Sequence, residues 1–163
     1  MLKQPNKPFE QAVKVYLAAP FFSESQIQKV KKLEAALASN ETVASYFSPM
    51  RCQRPEGLAE DIEPFTPVWA KATMENDVKE VEAADVIVAI LDYDGQDTDS
   101  GTAWELGYAI AKGKPTFLVR FEEDVPGNIM LTERNTAFFT EAEQVETYDF
   151  MEAQTIPYTG KYI

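Results

Sequence analysis

The stretch DVIVAILDYDGQDTDSGTAWELGYAIAKGKPTFLVRF, residues 85–121, contains the pattern that decides the fold. It begins with an apolar run at 85–92 and ends with a second one at 116–121. Between them an acidic loop leads into an apolar helical segment, which Gly113 and Pro115 bring to an end. Two buried strands joined by a helix are typical of a β-α-β unit, whose strands are parallel.

The same alternation extends towards the N-terminus. The pattern predicts a strand over 13–22, a helix from the capping pair Ser23 and Gln26 to about 39, a strand over 42–49, a loop over 50–66 and a helix from Pro67 to about 84. We therefore expect a doubly wound parallel sheet in an α/β domain.

The C-terminal part is less regular. It predicts a short helix over 128–135 and a short fifth strand over 136–139, and residues 148–163 have no clear period. No repeat or linker divides the chain. We expect one domain over 1–163, with residues 1–12 as a loose lead-in.

The composition excludes several classes of site. The 163 residues include no histidine and one cysteine, Cys52, which removes Ser-His-Asp and Cys-His catalysis, histidine metal sites and an internal disulfide. The net charge of −12 argues against nucleic acid and anionic membranes as partners. With no signal peptide or long apolar run, the sequence predicts a cytoplasmic protein.

In doubly wound sheets, ligands bind beyond the carboxyl ends of the strands. This rule selects three loops, which follow Phe22, span 50–66 and span 92–100. Functional residues are expected there.

Glu105 is the first candidate, because it lies near the start of an apolar helix that Asp99 or Ser100 can cap. The positive end of the helix dipole predicts that Glu105 stays ionised near neutral pH. Gly101 leaves space beside it, and the expected core stripe is Ala103, Leu106 and Ile110. The alternative is that glutamate simply favours helix N-termini.

Asp77 is the second candidate, because it interrupts an apolar stripe of Ala70, Met74, Val81 and Ala84. A buried carboxylate is costly unless it is paired or functional. The alternative is a shifted stripe, with Val78 inward and Asp77 in water.

Other candidates have simple structural explanations. Asp99 could serve simply as an N-cap, Tyr16 simply as a core residue, and Phe22 as a hydrophobic staple. The acidic loop with Asp92, Asp94 and Asp97 lacks the glycine and glutamate of an EF-hand, so no metal site is expected.

Together the segments VYLAAPFFSESQ, VWAKATMENDV, DSGTAWELGYAIAKGKP, GNIML and YTGKYI resemble the nucleoside 2-deoxyribosyltransferase family, in the same order and over about 13–163. The D-x-G-x₃-E signature, the Asn-Asp pair and the aromatic C-terminus carry the resemblance jointly. It implies a flavodoxin-like parallel sheet of about five strands with helices on both faces. It also implies no cofactor and a homo-oligomer of dimers, up to a hexamer, with sites completed by a neighbouring subunit.

The resemblance also implies roles. Glu105 matches the nucleophile, Asp77 the residue that moves protons on the base, and Tyr16 the tyrosine that orients the nucleophile. The substrate-binding positions would be Asp99 at the sugar 5′-hydroxyl, Phe22 at the base, and Ala18 and Trp69. A neighbour would lend Asn128 and either Tyr162 or the terminal carboxylate. The chain departs from the family pattern by ending one residue past Tyr162, at Ile163.

The implied reaction moves 2-deoxyribose between bases, either purines alone or both purines and pyrimidines, through a glycosyl-glutamate, with retention of the β configuration. Two other functions fit the same architecture. One is an N-glycosidase acting on 2′-deoxynucleosides or their 5′-monophosphates. The monophosphate hydrolases related to this family carry a serine where Asp99 stands, because a carboxylate repels phosphate. The other is a non-catalytic nucleoside-sensing module, which would bind without turnover.

Overall fold

The computed structural model describes residues 8–163. The strands are β1 Val13–Ala18, β2 Val43–Phe47, β3 Val86–Ile90, β4 Thr116–Val119 and β5 Ala137–Phe139. The helices are α1 Glu24–Ser39, α2 Pro67–Ala83, α3 Ser100–Ala111, α4 Ile129–Thr132 and α5 Ala142–Thr147, with a 3-10 turn at Pro49–Arg51.

The five strands form one sheet in the order β2-β1-β3-β4-β5, and every neighbouring pair is parallel. The chain runs outward from β1 to β2 and then crosses to β3 on the other side of β1. The order therefore reverses between β1 and β3, which makes this the switch point of the sheet. The predicted doubly wound, flavodoxin-like sheet of five strands is confirmed.

Alternating side chains of the strands build two cores. Val15 and Leu17 of β1 pack on one face, with buried residues of α1 and α5. Tyr16 and Ala18 face the opposite side, with buried residues of α2 and α3. Because successive side chains of a strand point to opposite faces, Tyr16 is directed towards the helix that carries Glu105.

The local signals predicted at the helix ends are present. The Ser23 and Gln26 side chains form the reciprocal capping box of α1, and Pro67 occupies the first turn of α2. The Asp99 side chain caps α3 by accepting from the Thr102 amide at 3.0 Å.

Several details differ from the sequence predictions. The helix α5 was not predicted; it is six residues long and begins with a capping box between Glu141 and Gln144. The buried stripe of α3 is Thr102, Leu106 and Ala109, so the expectation of Ala103 and Ile110 was wrong. The reason is that Glu105 turns towards the sheet, where it accepts a hydrogen bond from Tyr16, and this orientation places Thr102 and Ala109 beside Leu106 in the buried stripe.

Described residues near both termini pack into the cores. Residues 1–7 of the predicted lead-in lie outside the described residues. Phe9, in the remainder of that lead-in, packs against the core, and its amide donates to the Met151 carbonyl at 3.3 Å. The tail without a clear period places Phe150 and Tyr158 in the two cores. Within residues 8–163, no helix combines the length and apolarity needed to cross a bilayer.

Candidate active site

A cavity of about 370 Å³ opens beyond the carboxyl ends of β1, β2 and β3. Of the three loops selected from the sequence, 50–66 and 92–100 contribute to its wall. The third contribution comes from residues 19–22 instead of the residues after Phe22, because β1 ends at Ala18. The lining residues are Ala19, Phe21, Phe22, Pro49, Gln53, Phe65, Trp69, Thr73, Asp77, Asp99, Gly101, Thr102 and Glu105. Five predicted site residues are therefore brought together, and they are Glu105, Asp77, Asp99, Phe22 and Trp69.

Tyr16 lies directly beneath the cavity and contacts Glu105. The Tyr16 hydroxyl donates a hydrogen bond of 2.5 Å to Glu105 Oε1. The tyrosine ring is fully buried and stacks on Phe47, with ring centroids 5.6 Å apart. Burial and the nearby carboxylates raise the pKa of Tyr16 far above its ordinary value, so the phenol remains a donor at every working pH. The contact fixes one oxygen of Glu105 and leaves Oε2 as the candidate reacting atom.

Burial controls the protonation of Glu105. The pKa of Glu105 is raised to about 7, chiefly by desolvation; the hydrogen bond from Tyr16 lowers it, and the charges of Asp77 and Asp99 add smaller increases. The sequence had predicted a carboxylate kept ionised by the helix N-terminus. That expectation was incomplete, because the desolvation outweighs the dipole of a single helix end.

Asp77 projects from α2 into the same cavity. The pKa of Asp77 is raised to about 6, chiefly by desolvation; the neighbouring Asn76 side chain lowers it, and the charge of Glu80 adds a smaller increase. Within residues 8–163, Asp77 Oδ1 is buried without a hydrogen-bond partner. A buried carboxyl oxygen without a partner is costly, which is typical of a group kept for a ligand. The solvated alternative for Asp77 does not hold, since it and Val78 are both half-buried.

Asp99 combines a structural role with a position in the cavity wall. One carboxylate oxygen, Oδ2, is occupied by the Thr102 amide and hydroxyl, at 3.0 and 3.3 Å. A Cβ atom at Gly101 would come within 3.1 Å of that oxygen, so glycine keeps the entrance to the carboxylate open. The N-cap explanation is therefore correct, and it leaves Oδ1 for a ligand.

Aromatic rings form two further walls. Phe21 and Phe22, in the loop between β1 and α1, have ring centroids 5.5 Å apart, and Phe65 and Trp69 have centroids 5.0 Å apart. The Phe22 side chain is 68% exposed, so it does not act as a buried staple on α1. Flat aromatic walls beside carboxylates suit a planar heteroaromatic ring attached to a sugar.

Three predicted binding residues lie elsewhere. Ala18 is fully buried in the core of the α2 and α3 face, and its neighbour Ala19 lines the cavity instead. Asn128 caps α4, and Tyr162 pairs with Gly127 next to it. Asn128 and Tyr162 are thus neighbours of each other and are not among the residues that line this chain's own cavity.

The sequence reasoning missed some of the wall. Thr73 lies one turn before Asp77 and one turn after Trp69, and its hydroxyl oxygen is buried without a partner within residues 8–163. The spacing of four residues from Asp77 and from Trp69 could have identified it. Gln53 and Phe65 come from the loop 50–66, whose course has no periodic signal.

The acidic loop after β3 is structural in its buried part. Asp92 accepts from the amides of Phe121 and Glu122 and lies 3.3 Å from the ammonium of Lys29. Asp94 accepts from the Gln26 side chain at 2.7 Å. Among residues 8–163, no group of three or more acidic or cysteine side chains is arranged to hold a metal ion.

A family model described as nucleoside 2-deoxyribosyltransferase matches residues 15–146. A nucleoside deoxyribosyltransferase of Limosilactobacillus fermentum is 34% identical over 116 residues, which are 66% of this chain and 65% of that protein. The match thus spans just under two thirds of that relative's length. A nucleoside deoxyribosyltransferase of Lactobacillus leichmannii is 32% identical over 71% of this chain and 76% of its own.

Solved structures agree in fold. A 2-deoxyribosyltransferase from Bacillus psychrosaccharolyticus superimposes with a TM-score of 0.76 at 35% identity, over 90% of this chain and 99% of that one. A 2-desoxiribosyltransferase from Leishmania mexicana has a TM-score of 0.57 at 22% identity, which supports the fold alone. The resemblance seen in the sequence is confirmed, and the chain belongs to the nucleoside 2-deoxyribosyltransferase family.

Proposed function

We propose that this chain transfers the 2-deoxyribosyl group of a 2′-deoxynucleoside from one base to another. The observation that carries the proposal is a carboxylate oriented by a buried tyrosine, Glu105 on Tyr16, facing a second carboxyl group, Asp77, across an aromatic cavity. Displacement at a sugar needs one carboxylate to trap the anomeric carbon and one acid to assist the leaving group.

In the first step, Glu105 Oε2 attacks the anomeric carbon as the bond from that carbon to the base nitrogen breaks. The electron pair of the broken bond stays on the base, which takes a proton from Asp77. In the second step, a nitrogen of the incoming base attacks the same carbon, its proton passes to Asp77, and Glu105 leaves as a carboxylate. Two displacements at one carbon retain the β configuration.

The raised pKa values of Glu105 and Asp77 imply that the bound substrate helps to set which of the two carboxyl groups carries a proton. Desolvation is the main cause that raises the pKa values of both Glu105 and Asp77, so both carboxyl groups of the free site hold protons more tightly than they would in water. The reaction needs Glu105 ionised and Asp77 protonated. A base nitrogen that accepts a hydrogen bond from Asp77 favours the protonated form of Asp77. The positive charge that develops on the sugar favours the carboxylate of Glu105.

The charges at the cavity favour nucleosides over nucleotides. Among the described lining residues there are three carboxyl groups and no lysine or arginine. Asp99 would accept a hydrogen bond from a 5′-hydroxyl but would repel a 5′-phosphate. This argues against the monophosphate N-glycosidase.

We further propose that a neighbouring subunit completes the site. A second opening of about 290 Å³ reaches Asp77 and Glu105 from the α2 and α3 face, where Met74 and Trp104 are each 53% exposed. Apolar residues are also exposed around Asn128, including Ile129, Met130 and Ile163. Two such patches on one molecule suit a symmetric dimer in which Asn128 of each subunit faces the other's cavity.

The test is a chromatographic assay with thymidine and free adenine and no added phosphate. The expected products are 2′-deoxyadenosine and thymine, and deoxyinosine replaces thymidine if the donor range is limited to purines. Thymine with free deoxyribose would mean a hydrolase, and intact nucleosides with measurable binding would mean a sensor.

Glu105→Ala should abolish exchange while the circular dichroism spectrum and cooperative melting persist, and near-normal exchange would remove Glu105 from the mechanism.

A further inference from the structure

Phe65 has a backbone conformation that bulky residues rarely adopt. Its φ angle is 64°, at the end of the loop that leads into α2. In this left-handed region the Cβ atom crowds the backbone, so the conformation is strained for a phenylalanine. Strain of this kind persists only where the surroundings hold it, and it occurs most often at functional sites.

Burial of the Phe65 ring does not explain the strain. The side chain is 88% exposed, so it contributes little to the core of this chain. Its described ring contact is with Trp69, at 5.0 Å between centroids. A large apolar side chain that lines a cavity and remains exposed is a candidate ligand contact.

The segment around Phe65 is braced. The Trp69 indole N–H donates to the Gln53 carbonyl at 2.9 Å, which fixes the ring beneath Phe65. The Arg54 guanidinium donates to the carbonyls of Ala59 and Ile62, at 2.7 and 2.9 Å, and holds the loop together. The Phe65 ring is therefore presented on a supported platform.

The direction of α2 places Phe65 at the end of the cavity away from Asp77. Asp77, Thr73 and Trp69 are spaced by four residues along one face, and all three line the cavity. Eight residues of helix separate Trp69 from Asp77, which is about 12 Å. Phe22, from the β1 end, also lines the cavity, so a flat ring can lie between aromatic side chains from two elements.

We propose that Phe65 is a specificity-determining residue for the base. Supported by Trp69, its ring stacks on the face of the purine or pyrimidine in the exchange complex, and its strained backbone holds the ring in place before the base arrives. Stacking on an aromatic side chain tolerates every base and grows with ring area, so Phe65 favours bicyclic acceptors over monocyclic ones. This inference rests on the proposed exchange activity.

The experiment compares three variants of the full chain. Phe65→Gly removes the ring and accepts the positive φ, Phe65→Leu keeps apolar bulk without aromaticity, and Phe65→Tyr keeps the aromatic face. We expect KM for adenine to rise about tenfold in Phe65→Gly, and KM for cytosine to rise less, while kcat at saturating base changes much less. Phe65→Leu should resemble Phe65→Gly, and Phe65→Tyr should resemble the unmodified protein.

The stability of Phe65→Gly distinguishes the stacking role from a structural role. Because Gly relieves the strained φ and little burial is lost, we expect that the melting temperature of Phe65→Gly does not fall. An adenine KM within twofold of the unmodified value, a leucine variant equal to the parent, or a changed sedimentation coefficient in Phe65→Gly would each overturn the proposal. The last result would mean that Phe65 contacts another subunit instead of the base.

Calorimetric titration with free adenine separates this proposal from the proposed function, because a single base is not turned over. If the parent protein binds adenine and Phe65→Gly binds it about tenfold more weakly, the stacking role stands even without exchange. If the parent exchanges bases and Phe65→Gly has unchanged affinity, Phe65 fails and the proposed function stands. If the parent neither binds adenine nor exchanges bases, both fail.

Discussion

The Tyr16 hydroxyl on β1 donates a 2.5 Å hydrogen bond to Glu105 Oε1 on α3, although the two residues are 89 positions apart in the chain. A strand residue that points towards α3 therefore sets the orientation and the proton affinity of a carboxylate on that helix. Because the bond stabilises the carboxylate, it keeps the pKa of Glu105 lower than burial alone would. The pair is the part of the site that single substitutions test most directly.

Tyr16→Phe should raise the pKa of Glu105 above about 7, because the donor that stabilises the carboxylate is lost. The acidic limb of the pH profile of kcat/KM should move to higher pH, and the rate at pH 7 should fall about 10- to 100-fold as orientation is also lost. Raising the pH should recover part of the rate. An unmoved limb with a normal rate would contradict the orienting role of Tyr16.

Asp77→Asn should have the opposite effect on the pKa of Glu105. The negative charge of Asp77 raises that pKa, so removing the charge lowers it and moves the acidic limb to lower pH. The rate should fall by about 10² to 10⁴, since proton transfer to the base is lost, while nucleoside binding persists. Glu75→Gln is the matched control, because Glu75 is exposed on the same helix. Unchanged rates in Asp77→Asn would mean that Asp77 does not handle protons.

Glu105→Gln should stabilise the protein at alkaline pH. The folded pKa of Glu105, about 7, lies above its ordinary value of 4.5, so the folded state holds more protons between these values. Unfolding therefore becomes easier as the pH rises from about 4.5 to 7, and the variant escapes this loss. Calorimetric melting should show Glu105→Gln more stable than the parent at pH 8, with the advantage gone near pH 4. A pH-independent difference would contradict the raised pKa.

The sequence was sufficient for the architecture because the signals were local. The apolar runs of β1, β3 and β4 are buried on both faces, and the caps at Ser23 and Asp99 mark helix starts without tertiary information. The same locality placed Glu105 and Asp77 on their helices. Ligands bind beyond the carboxyl ends of the strands in doubly wound sheets, and this rule predicted that the loops next to these helices lie at one edge of the sheet.

What the sequence could not supply depends on tertiary contacts. The pKa of Glu105 follows from burial and from Asp77 on another helix, so a prediction from its own helix end was incomplete. The position of Phe65 in the cavity wall depends on a loop that Arg54 holds together through hydrogen bonds to backbone carbonyls. Such hydrogen bonds leave no periodic pattern in the sequence. The helix α5 is only six residues long, too short for a helical period to stand out from its surroundings.

Asp99→Ser should change the preference between a nucleoside and its 5′-monophosphate. Serine can still cap α3 through the Thr102 amide, so the fold should persist. Loss of a charged acceptor for the 5′-hydroxyl should lower kcat/KM for thymidine about 10- to 100-fold. Loss of the negative charge should raise cleavage of thymidine 5′-monophosphate relative to thymidine. Ser100→Ala controls for the loop, and an unchanged ratio would contradict the proposed charge discrimination.

Mixing two inactive variants should restore activity if neighbouring subunits share each site. Asn128 lies beside Tyr162 and is not among the residues that line its own chain's cavity, so we expect Glu105→Ala and Asn128→Ala to damage opposite sides of a shared site. In a mixed two-fold dimer, one site carries both defects and the other carries neither. Equal mixing with subunit exchange converts half of the dimers to mixed dimers, each with one intact site. The mixture should therefore show about a quarter of the parent activity.

Each variant alone should be nearly inactive. A co-refolded mixture of Glu105→Ala and Asp77→Asn is the control that should gain nothing, because both residues lie in one chain's cavity. Absence of recovery despite verified mixed dimers would assign Asn128 a role within its own subunit.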